Sequence, residues 1–199
     1  MKLYRPATIL VGILFVLIGG LTRLATPDQV FDEPNMMVSD GTIGQPLEFG
    51  KEATITVVRM QLAKSVLDAN STSDKKPIET NGVYVALEWE TTPGVDKPDN
   101  PQPTLVSDGG VVFNPVPFTY SGLEFGASGF TVSGGIVFEV DPAELKGLTL
   151  QVRTGQLWNV LNRMVSVDLG IPGEESAQRL VDGAVEQYVL PERQTRVAS

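Results

Sequence analysis

Alternation of apolar and polar side chains limits the fold of this chain more than any other feature. From Val83 to Glu90, residues Val83, Val85, Leu87 and Trp89 fall on one face, and Tyr84, Ala86, Glu88 and Glu90 on the other. That is the pattern of a half-buried strand. Ala53, Ile55 and Val57 alternate with Thr54 and Thr56, and Ile136, Phe138 and Val140 with Val137 and Glu139. Leu148, Leu150 and Val152 alternate with Thr149, Gln151 and Arg153, and Val165, Val167 and Leu169 with Ser166 and Asp168. A shorter run, residues 111–113, follows the turn signal Asp108-Gly109-Gly110. Short strands separated by Gly- and Pro-rich turns predict a mostly β chain, an antiparallel sandwich with no crossover helices. Residues 70–81 and 91–104 read as long, irregular connections.

The N-terminus has a different character. Between Arg5 and Arg23 lie about 17 uncharged residues, roughly 26 Å of helix against a hydrocarbon core near 30 Å. A secretory leader is shorter and ends in a small-x-small site, of which Leu24-Ala25-Thr26 is a poor version. Residues 1–25 are therefore expected to be an uncleaved transmembrane signal-anchor. Lys2 and Arg5 precede it and acids follow it, which places the N-terminus inside and the later domain outside the cytoplasmic membrane. Thr8, Gly12 and Gly19 put small residues along the span, where the helix of an integral membrane protein could approach. Residues 26–48, with three Pro, two Gly and several acids, read as a linker. The sandwich is expected over residues 49–172.

Beyond residue 173 the period changes. Ala177, Leu180, Val181, Ala184, Val185 and Tyr188 recur at helical spacing, with Glu174 and Glu175 in the first turn and Pro191 beyond the end. This predicts a short amphipathic helix over 174–190 within a C-terminal segment, 173–199. Gly183 weakens that helix by about 1 kcal/mol relative to Ala. Leu180, Val181, Val185 and Tyr188 are its candidate contact residues, toward the chain's own sandwich or toward a partner.

Charge and composition exclude several functions. The net charge is −9, and residues 1–25 hold three basic groups and no acid, so the remainder carries 12 basic and 24 acidic groups, or −12. Such a domain is repelled by nucleic acid phosphates. The chain has no Cys and no His. That removes disulfides and thiol chemistry, the commonest general base and the commonest transition-metal ligand. No cofactor is expected.

The segments Thr80-Asn81-Gly82-Val83-Tyr84-Val85-Ala86-Leu87-Glu88-Trp89 and Leu105-Val106-Ser107-Asp108-Gly109 resemble the central strands of the bacterial telokin-like, immunoglobulin-fold envelope domains. Residues 135–142 followed by Leu148-Thr149-Leu150 look like that family's late hairpin. The resemblance covers residues 49–172. It implies an Ig-like sandwich behind a membrane anchor and a structural or protein-binding role, with no catalytic site to carry over.

Other motifs carry little chemistry. Glu88 and Glu90 share a strand face about 6.5–7 Å apart, a spacing used by inverting glycosidases, but a solvated strand face is the expected reading. Ser73-Asp74-Lys75-Lys76 matches S-x-x-K without its companion motifs. Asp96, Asp99, Asn100 and Asp108 lack the spacing of a calcium loop. Asn70-Ser71-Thr72 is a glycosylation sequon by pattern alone. Glycines 122–135 are expected to fall between strands. The chain thus reads as a non-enzymatic, membrane-anchored extracytoplasmic interaction module, an accessory or assembly subunit whose partners are the bilayer and integral membrane proteins met through the span and linker. The alternative is an extracytoplasmic domain binding a glycan, lipid or metal.

Overall fold

The computed structural model describes residues 36–68, 76–95, 97–98, 101–117, 122–154 and 162–198. The expected anchor, with Thr8, Gly12 and Gly19, lies outside them. Among the described residues no helix is long and apolar enough to cross a membrane. The chain divides into Met1–Asn35 and Met36–Ser199, and the second unit is a two-sheet sandwich.

In chain order the strands are β1 (Met36–Thr42), β2 (Leu47–Gly50), β3 (Ala53–Asp68), β4 (Ile78–Thr92), β5 (Pro101–Val106), β6 (Val112–Phe113), β7 (Phe130–Val140), β8 (Thr149–Thr154), β9 (Asn162–Asp168), β10 (Tyr188–Leu190) and β11 (Gln194–Val197). The helix α1 (Glu174–Asp182) lies between β9 and β10. One sheet runs β1-β9-β8-β5-β6 and the other β10-β3-β4-β7-β11, with β2 also paired to β3. The alternating residues point between the sheets. Ile55, Val57, Val85, Leu87 and Trp89 of one sheet and Leu105, Leu150, Val152, Val165 and Val167 of the other belong to one buried cluster. Phe49 and Phe125 stack within it, with centroids 5.7 Å apart.

Several expectations need correction. Residues 36–48 are not linker: β1 pairs with β9 and β2 with β3. Nor are the sheets wholly antiparallel, because β1–β9 and β10–β3 are parallel. Both parallel pairs join strands far apart in sequence, where no tight hairpin dictates direction. Part of the run 91–104 is strand β5, with Pro101 and Pro103 inside it. Those prolines are tolerated because β6 reaches only Leu105 and Val106, so the earlier part of β5 has no strand on that side among the described residues. Gly134 and Gly135 lie within β7 and not between strands.

The C-terminal helix is shorter than expected. Ser176 Oγ donates to the Gly173 carbonyl at 2.6 Å and accepts from its N–H at 3.1 Å, which closes the first turn. Asp182 is the last helical residue. Beyond Gly183 the backbone of Val185 turns to β3, donating to the Leu62 carbonyl at 2.9 Å and accepting from Lys64 at 2.9 Å. Two inter-strand bonds at the sheet edge outweigh further turns of a helix that already carries a glycine penalty.

The β2–β3 turn stores strain. Lys51 and Glu52 both have positive φ, 49° and 68°, as a tight hairpin turn requires but as non-glycine residues adopt only at a cost. Glu52→Gly should therefore raise the unfolding free energy by about 0.5–1 kcal/mol, read as a higher urea midpoint. A lower midpoint would show that the Glu52 side chain contributes more than its backbone costs.

Candidate interaction face

The outer face of the β10-β3-β4-β7-β11 sheet concentrates the polar chemistry, and a register shift creates it. Arg59 has the parity of Ile55 and Val57, so an unbroken β3 would turn it into the core. The shift between Val57 and Arg59 leaves Val58 unpaired and sets Arg59 opposite Glu88. Met60 and Leu62 thereby return to the core side, and Ala63 reaches the outer face. Arg59 pairs with Glu88, and the Tyr188 hydroxyl donates to the same Glu88 oxygen at 3.2 Å.

The Glu88–Glu90 pair is thus not a plain solvated face. Glu90 accepts from Arg196 of β11 at 2.8 Å, so each carboxylate has its own guanidinium, delivered by a different element. Alongside lie an Arg193–Glu124 pair and a Lys64–Glu186 pair at 2.6 Å. The serine hydroxyl of Ser65 donates to the Glu186 carbonyl at 2.6 Å. Residues 184–197 therefore lie along this face, fixed at intervals.

Beneath them is a second, smaller core. Ala63, Val66, Tyr84, Ala86, Val116, Val137, Tyr188 and Leu190 form it, with Val185 packed against it. Tyr84 and Ala86, expected on a solvated face, are therefore buried by the chain's own later residues. Gly135 provides the flat floor: a Cβ there would come within 2.8 Å of Leu190 Cδ1 and 3.0 Å of Pro191 Cδ. Of the expected contact residues, Leu180 and Val181 are half-buried on α1 against the main core, Val185 is half-buried on the second, and Tyr188 is buried in β10. They do not form one helical stripe. The sandwich itself covers much of each.

Asp108 pairs with Lys146 at 3.4 Å. Asp96, Asp99, Asn100, Ser73 and Asn70-Ser71-Thr72 lie outside the described residues. Lys76 lines an open groove of about 580 Å³ with Lys64, Ser65, Pro77, Glu79, Thr80, Glu186 and Gln187. Among the described residues no group of three acids is placed to hold a metal ion.

A second exposed feature is the edge strand β1. Met37 and Val38 are 57% and 44% exposed, and Val38 lies opposite the half-buried Met164 of β9. The Pro, Gly and acidic residues around this strand give it the composition of a linker and hide it in the sequence. The cue was the Met36-Met37-Val38 run itself.

Burial raises the phenol pKa of Tyr188, reinforced by the Glu88 carboxylate, and burial with Glu139 raises that of Tyr84. The protonated phenols are thus favoured in the folded state. Their contribution is complete below the unfolded phenol value, about 10, and is lost as pH rises beyond it. The urea midpoint should therefore fall from about pH 10 upward, approaching ~1.4 kcal/mol per pH unit for each phenol, and Tyr188→Phe should shallow the decline. A midpoint unchanged to pH 11 in the wild type would show that neither hydroxyl is held protonated.

No family model matches the chain, and no curated protein matches it. A solved structure similar to it is an uncharacterized beta-sandwich protein from Clostridium difficile 630, 11% identical, with a TM-score of 0.38. That match covers 67% of this chain and 97% of the other.

Proposed function

We propose that this chain is a membrane-held, extracytoplasmic interaction module, an accessory or assembly subunit anchored by residues 1–25. The observation that carries the reading is the position of β1. It begins at Met36 and forms one edge of its sheet, on which Met37 and Val38 are exposed. With the anchor ending at residue 25, β1 is the first described strand that follows it along the chain. This edge is then the part of the domain that comes first in chain order after the proposed anchor. Methionine side chains suit such contacts because they adapt to irregular partner surfaces.

The Ig-like, telokin-type variety of sandwich belongs to the same proposal. It is supported by the buried Trp89 on a central strand between two packed sheets, although the two parallel edges depart from that pattern. In vivo photo-crosslinking from position 37, with the exposed Val95 as control, tests the function. The expected result is a Met37-specific adduct to an integral membrane protein in the membrane fraction. A chain released from membranes by alkaline wash, or equal labelling from both positions, would overturn the reading.

A further inference from the structure

We propose that residues 184–198 form an exchangeable strand. In a dimer, this segment of each copy would occupy the outer face of the other copy's sheet. The proposal does not depend on the anchor.

The groove's ligand can be read directly, because the chain already fills it. Tyr188 and Leu190 enter the second core, and β10 runs parallel to the edge of β3. Leu190 and Pro191 lie over the glycine floor at Gly135. Basic residues then meet an acidic rim, Arg193 on Glu124 and Arg196 on Glu90, and β11 closes antiparallel on β7. A second copy carries this same sequence. The segment's own charges balance, Glu186 and Glu192 against Arg193 and Arg196, so it can cross to a second copy without adding to the repulsion between two chains of net charge −9.

The segment is also separable. The buried residues of the main core extend no further along the chain than Ala177. Tyr188 and Leu190 are the fully buried residues of the segment, whereas all four residues of β11 are exposed. The exposed Gly183 between α1 and Val185 supplies a hinge. Opening there exposes the small second core and takes only the half-buried Ala184 away from the main one, so it lies below global unfolding. Contacts made in exchange equal those lost, so the balance depends on the hinge and on local chain concentration.

The absence of native cysteine permits a clean test on the full chain. Ser133 and Gln194 are opposed across β7 and β11. The double variant Ser133→Cys with Gln194→Cys should oxidise within one chain, confirming the register. Differently tagged single variants, Ser133→Cys and Gln194→Cys, are then mixed and oxidised. The expected product is a mixed disulfide dimer, well above that from Gln194→Cys mixed with the exposed Asp141→Cys. Internal closure of the double variant, with no more mixed dimer than the control pair, would overturn the proposal. So would failure of internal closure, or dimers joined chiefly through Ser133→Cys on both sides.

Discussion

Trp89→Ala should lower the unfolding free energy by about 3–5 kcal/mol, the largest effect expected of any single truncation here. Trp89 is 1% exposed on the central strand β4, within the cluster that joins both sheets. Its ring lies directly against β7. A Cβ added at Gly134 would come within 2.8 Å of Trp89 Cζ2, so the glycine is there to admit the indole. The two positions should therefore couple. Gly134→Ala should be clearly destabilising in the wild type and much less so beside Trp89→Ala. The indole N–H has no partner among the described residues. Trp89→Phe removes that buried donor together with part of the volume, and should cost less than the alanine change. Urea unfolding followed by far-UV circular dichroism measures all four variants. Additive effects of the Trp89 and Gly134 changes would disprove their packing relationship.

Tyr188→Ala should cost about 3 kcal/mol, and the loss should appear locally before it appears globally. Tyr188 is 5% exposed and fills the second core. Without it, residues 184–197 keep their ion pairs, but those involve exposed side chains worth only tenths of a kcal/mol each. Hydrogen exchange should then accelerate at Val185, Tyr188 and Lys64, whose backbones join the segment to β3, while strands β8 and β9 stay protected. Tyr188→Phe keeps the packing and loses the bond to Glu88, at a cost of about 1 kcal/mol. Uniform loss of protection across both sheets in the alanine variant would mean that the segment is an integral part of the main core.

The interior of both sheets is legible in the local pattern of the chain. Each run with clean period-two alternation lies in a strand or at its end, because burying one face of a pleated chain demands that pattern whatever the neighbours are. The local pattern also determined where α1 begins, through Glu174, Glu175 and the apolar spacing that follows. Four features depended on tertiary contacts. Residues 36–42 and 47–50 became strands because β9 and β3 offered open edges, although the local composition reads as linker. The register shift at Val58 sends Arg59 outward, a choice governed by its partner Glu88 on another strand. The prolines of β5 are accommodated only because β6 is so short. Finally, Val185 and Tyr188 have helical spacing from Ala177, yet they lie beyond the end of α1. Local spacing records which residues need burial. Whether helix or strand delivers them is decided by which hydrogen-bonding edge lies within reach, and here that edge is β3.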